Sequence, residues 1–141
     1  MKLFIRFFTA LLASSLLVTT ACAAAIVIAS PNVTEQALSK QDVKNIFLGK
    51  RTKWSDGEPI VLVVMNGSAP YNEQFLNDFV EKNASQFNLY WKKAVFTGTG
   101  SQPKGIEDPN ETVNFIAASK GAIGYIDESV KPTNIKIIEV K

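Results

Sequence analysis

The sequence predicts a single α/β domain, built on a mixed and mostly parallel sheet flanked by helices. Residues 60–65, Ile-Val-Leu-Val-Val-Met, are six consecutive apolar residues, the pattern of a strand covered on both faces. A helical pattern follows at once, with Phe75, Leu76, Phe79 and Val80 on one side, so that strand and helix alternate. Residues 24–141 contain no internal repeat, low-complexity tract or linker, and one domain accounts for them.

Residues 1–23 read as a signal peptide. Lys2 and Arg6 give a positive start, residues 7–18 an apolar stretch, and Ala21-Cys22-Ala23 a small-residue cleavage site. The apolar stretch is short for a membrane span and is interrupted by Thr9, Ser14 and Ser15. Cleavage after Ala23 leaves a 118-residue domain, residues 24–141, with no further candidate transmembrane segment. Cys22 as a lipid-anchored first residue is the alternative, but Thr19-Thr20-Ala21 lacks the usual aliphatic residue before it.

Composition narrows the chemistry. Cys22 is the only cysteine and there is no histidine, so the mature domain has no thiolate metal site, disulfide, Ser-His-Asp triad or imidazole base. No metal and no cofactor are expected. Without Lys2 and Arg6 the domain carries 13 basic against 13 acidic residues, which gives no whole-domain drive toward nucleic acid. Arg51 is its only arginine, the one possible source of a bidentate fork for carboxylate or phosphate.

Taken in order, Ala25-Ile26-Val27-Ile28-Ala29 reads as a first buried strand, ended by Ser30-Pro31-Asn32. Residues 34–38 connect, as a loop or a turn of helix. A short helix then begins with Ser39 as N-cap and Asp42 in the capping-box position, buries Val43, Ile46 and Phe47, and stops at Gly49. A basic connection, residues 50–57, ends in Asp56-Gly57 and delivers the chain to the strand at Ile60. Asn66-Gly67 breaks that strand because both residues tolerate a positive φ. Ser68 is read as the N-cap of the next helix, with Pro70 in its first turn. This turn offers free N–H groups at one spot where an anion can sit; many α/β units turn the same corner with no ligand. Asn83 reads as a stop and Ser85 as a new N-cap, opening a helix with Phe87, Tyr90, Trp91, Ala94 and Val95 at helical spacing.

Residues 96–105 hold Gly98, Gly100 and Gly105 with the hydroxyls of Thr97, Thr99 and Ser101. They read as a flexible loop whose backbone N–H groups can cradle an oxyanion, or as an ordinary surface loop. Asp108-Pro109-Asn110-Glu111 starts a helix that buries Val113, Ile116 and Ala117 and ends at Gly121. Residues 122–126 form a strand in which Gly124 marks a close approach of backbone or ligand, and residues 135–140 form the last strand. Phe47, Val63, Phe75, Phe79, Ile116 and Ile123 are expected to share one core. Asp42, Asp56, Asp78 and Glu81 read as cap, turn and solvated helix face, so nothing indicates an enzyme.

Ile46-Phe47-Leu48-Gly49-Lys50, Trp54 with Gly57, Gly67-Ser68, and Gly121-Ala122-Ile123-Gly124-Tyr125 occur in that order, and the pattern resembles the phosphate-binding proteins of ABC transporters. Phe96-Thr97-Gly98-Thr99-Gly100 resembles their short, single-domain relatives in particular. The resemblance spans residues 38–126 and implies one periplasmic-binding-protein-like lobe of a two-lobed fold, periplasmic location, and an anion site at the start of the helix after the central strand. In the family this turn carries an arginine and then Ser-Gly-Thr. Here Ser68 matches the serine and Gly67 the glycine before it, Ala69 and Pro70 stand at the following glycine and threonine, and Val64 falls at the arginine. Glu73 in the first turn competes for the helix's positive end. The ligand residues this implies are Gly67, Ser68 and Ala69, meeting Thr97, Gly98, Thr99, Gly100 and Ser101, with phosphate or another small oxyanion as weakly held ligand. The other function class is a protein-interaction module that keeps the fold and docks on an envelope protein or a second copy of itself as a homodimer.

Overall fold

The computed structural model describes residues 24–141; the signal-peptide reading and Cys22 lie outside the described residues. Six strands form one sheet in the order β2-β6-β1-β5-β3-β4. They are β1 (Ala25–Ala29), β2 (Ala37–Leu38), β3 (Val61–Met65), β4 (Lys104–Ile106), β5 (Ala122–Asp127) and β6 (Lys136–Val140). β1 is antiparallel to both its neighbours, β5 and β6, while β3 is parallel to β5 and β4, and β2 to β6. Only β1 therefore runs against the other five, and the sheet is mixed but mostly parallel.

The helices follow local signals closely. Helix α1 (Lys40–Phe47) is closed at its start by a reciprocal capping box between Ser39 and Asp42. At its end Gly49 adopts φ 68°, the left-handed turn that glycine adopts without a Cβ penalty. Helix α2 (Pro70–Phe75) continues into a π-helical turn over Leu76–Val80, and Phe75, Leu76 and Val80 are buried. Helix α3 (Ala84–Phe96) starts two residues earlier than the Ser85 reading. Its N-cap is Asn83, in a capping box with Gln86: Asn83 opens the new helix rather than closing the old one. Helix α4 (Pro109–Ala118) opens on Asp108, whose carboxylate accepts from Glu111 N at 2.8 Å.

Two corrections concern short strands. Residues 37–38 pair with Glu139 and Val140 as β2, and residues 104–106 pair with residues 63–65 as β4. Both edge strands are too short to carry a periodicity of their own, and pairing alone defines them.

The expected common core divides into two, one on each face of the sheet. Phe47, Phe75 and Ile123 lie in a cluster with Tyr125, Trp91 and Val43, and half-buried Phe79 packs against it. Val63 and Ile116 lie in the other cluster with Ile28 and Ile126. Alternate side chains of a strand face opposite ways, so Ile123 and Val63 cannot share a layer when Leu62 is the residue opposite Ile123. Helices α1, α2 and α3 cover the first face and α4 the second.

Candidate ligand-binding site

The turn that leaves β3 is set by proline. A residue preceding proline is held out of the helical region by the ring, so Ala69 sits at φ −60°, ψ 137° and becomes the N-cap of α2. Ser68 is then one residue too early to cap. It stands exposed, and α2 has no side-chain cap, which corrects the N-cap reading. Asn66 N donates to Ile106 O at 3.0 Å and Asn72 N to Ala69 O at 2.9 Å, so the turn is tied to β4 on one side and to its own helix on the other.

Beneath it runs a polarised chain of hydrogen bonds. Met65 N donates to the Tyr125 hydroxyl at 3.2 Å, that hydroxyl donates to Asn72 Oδ1 at 2.6 Å, and Asn72 Nδ2 donates to Gly67 O at 3.0 Å. Tyr125 and Asn72 are both buried, so these bonds have little water to compete with them. The Tyr125 ring stacks on Phe75 at 3.8 Å between centroids, and burial pushes its phenol well above the ordinary range. Sequence reasoning missed both positioning residues. Tyr125 closed a recognised motif, but nothing marked Asn72.

Burial, then the carboxylates of Asp127 and Asp108, push the Tyr71 phenol upward, so negative charge faces the start of α2. Glu73 plays a different part from the one expected: its Oε2 accepts from Ala84 N at 3.2 Å, supporting the first turn of α3.

Residues 97–101 lie elsewhere. β3 and β4 are parallel, with Val63 opposite Lys104, so the loop leading into β4 sits at the amino end of β3 whereas Gly67 and Ser68 sit beyond its carboxyl end. The structure does not bring the two stretches together. Thr97 N donates to Lys93 O, Gly98 N to Val95 O, and both Thr99 N and Gly100 N to Ala94 O. The Thr97 hydroxyl bonds Lys93 O at 2.9 Å and the Thr99 hydroxyl bonds Ala94 O at 3.3 Å. These donors close the carboxyl end of α3, with Gly98 at φ 71° making the turn. They are committed to protein carbonyls and do not form an open anion cradle.

Thr99, Gly100 and Ser101 instead wall a cleft of about 530 Å³ with Ile46, Arg51, Leu62 and Trp91. The Arg51 guanidinium is held by Glu35 at 3.1 Å and Asp42 at 3.3 Å, so its charge is already balanced. The recognised motifs have structural duties. A Cβ on Gly49 would stand 2.7 Å from the Trp91 ring, and one on Gly124 2.8 Å from Ile116 Cδ1. Trp54 Nε1 donates to Gly121 O at 2.9 Å. Among the described residues there is no cluster of three His, Cys, Asp or Glu side chains able to hold a metal, and no helix long and apolar enough to cross a membrane.

A family model for the PBP superfamily domain matches residues 12–136. A comparison with curated proteins returned no match. Among solved structures, PstS from Borrelia burgdorferi is similar at 14% identity with TM-score 0.64, covering 84% of this chain and 47% of its own. An ABC-type phosphate transport receptor from Vibrio cholerae is similar at 11% identity with TM-score 0.59, covering 84% and 46%. A phosphate-binding protein from Stenotrophomonas maltophilia is similar at 18% identity with TM-score 0.58, covering 84% and 39%. This chain thus spans less than half the length of each, and the likeness is one of fold.

Proposed function

The chain belongs to the PBP superfamily domain family, and from that premise we propose that it is an exported, non-enzymatic binding module for a small oxyanion of the phosphate type, working in the periplasm. The observation that carries this reading is the position of the Gly67-Ser68-Ala69 turn. It follows the carboxyl end of β3, which is parallel to both its neighbours, the end at which open α/β sheets place their ligand crevices. The turn is braced from below through Asn72 and Tyr125, and the Ser68 side chain is free to meet a ligand from solvent.

Binding at this turn is weak. Val64 occupies the place where an arginine would supply a charge-assisted contact, Pro70 removes one N–H from the first turn of α2, and Asp108 and Asp127 lie near Tyr71. The residues at 97–101 take no part in this site. Calorimetry with phosphate and sulfate tests the reading. Ser68→Ala lowers affinity by about 1 kcal/mol, roughly fivefold, the worth of one ordinary hydrogen bond. Added salt weakens binding further. No heat from either anion at millimolar concentration, or binding indifferent to Ser68, refutes the proposal. Export is tested separately, by mass spectrometry of periplasmic material: the mature chain starts at or next to Ala24, and a retained Met1 refutes it. The alternative, docking on an envelope protein or a second copy, draws on a different surface, the outward side of α3.

A further inference from the structure

We infer that the outward face of α3 is a contact surface for anionic phospholipid bilayers. Phe87 and Trp91 fix the orientation of the helix by burying its inner side. Leu89, Lys93 and Phe96, spaced i, i+4 and i+7, then form one outward line. Leu89 is 68% exposed, Phe96 92% and neighbouring Val95 45%. Only one other large hydrophobic residue among those described, Ile137 in β6, is comparably exposed.

Charge points to the occupant. Residues 82–106 contain four lysines and no carboxylate, while the remainder of residues 24–141 has nine basic against thirteen acidic side chains. Lys92 and Lys93 are exposed beside the apolar line, and Lys82 Nζ lies 5.7 Å over the Tyr90 ring on the flank of the same helix. Three of these lysines thus lie on or beside the helix that carries the most exposed apolar side chains, while Lys104 sits over Phe115 on the other face of the sheet. Lysines flanking Phe and Leu on an amphipathic helix are the pattern of a bilayer-surface contact, in which the stems stay among the headgroups while the apolar groups enter the acyl boundary.

The competing occupants fit less well. A symmetric dimer through α3 would bring two copies of one lysine-bearing, carboxylate-free helix together. A head-to-tail contact leaves Ile137 as the one exposed large apolar side chain outside α3, among the described residues, to receive Phe96. Protein interfaces are depleted in lysine, whereas this face carries exposed Lys92 and Lys93 beside Leu89 and Phe96.

The experiment places a reporter at the tip of the face. Phe96→Trp changes a side chain with almost no contacts, and the native Trp54 and Trp91 are buried, so a change in emission reports position 96 itself. Because the signal is local, an N-terminal apolar segment does not contribute to it. With vesicles of phosphatidylcholine and phosphatidylglycerol the emission shifts to the blue; with phosphatidylcholine alone it does not, and salt reverses the shift. Lys92→Gln with Lys93→Gln weakens partitioning by about thirtyfold, roughly fivefold (about 1 kcal/mol) for each lysine near an anionic surface. Unchanged emission with anionic vesicles overturns the inference, as does an equal shift with neutral ones. A shift produced by polyglutamate but not by vesicles also overturns it and assigns the face to an acidic protein.

Discussion

Replacing Tyr125 by Phe isolates the hydrogen-bonded brace under the β3–α2 turn. The ring keeps its stack on Phe75 at 3.8 Å and its edge contact with Phe47 at 5.6 Å, so packing is unchanged and only the hydroxyl is lost. Two groups then lose their partner, Met65 N–H and Asn72 Oδ1. A buried polar group left unsatisfied costs about 1–3 kcal/mol. Asn72 is buried and sits in the middle of that range, whereas Met65 is half-buried and sits near the bottom. The expected loss is therefore about 2–3 kcal/mol. In urea, followed by Trp54 and Trp91 fluorescence, this lowers the midpoint by roughly 1–2 M with the slope unchanged. Asn72→Ala alone and the double variant complete a cycle with a coupling energy of about 1 kcal/mol or more. A midpoint shift below about 0.3 M, or additive single effects, would show that the chain of bonds does not act as a unit.

Gly121→Ala destabilises strongly, by about 2 kcal/mol or more, because φ is 72° and the new Cβ would stand 2.2 Å from Pro59 O; thermal unfolding reads it, and a near-native Tm refutes the clash. Phe75→Ala costs about 3–5 kcal/mol because the residue is fully buried, whereas half-buried Phe79→Ala costs less; the order of the two midpoints is the test. In the third case the Ser39 hydroxyl, then its N–H and the Arg51 charge, outweigh burial and hold the Asp42 carboxyl below its ordinary range. A carboxyl lowered in the folded state adds stability above its unfolded pKa and loses it as pH falls through the folded one. Denaturation midpoints between about pH 5 and 2 should fall on the acid side, and Ser39→Ala should flatten that limb; an identical acid limb in the variant excludes Asp42 as a contributor.

The sequence by itself determined the elements whose causes are local. The capping box of α1, the Asp-Pro start of α4, the left-handed glycine after α1 and the apolar run of β3 each lie within a few residues of the structure they produce. Even the N-cap at Ala69 was legible in principle, since the proline that forces it is its neighbour. What tertiary structure alone decided is what depends on partners far along the chain. The two-residue β2 and three-residue β4 exist because a distant strand supplies their hydrogen bonds. Residues 97–100 look like free donors until the last carbonyls of α3 are seen to need them. Asn72 became a positioning residue only when folding brought Tyr125, 53 residues away, to 2.6 Å from it. The same register placed Gly67 and Ser68 at one end of β3 and Thr97 to Ser101 at the other, because a parallel strand must be entered from the end opposite to the one at which its neighbour was left.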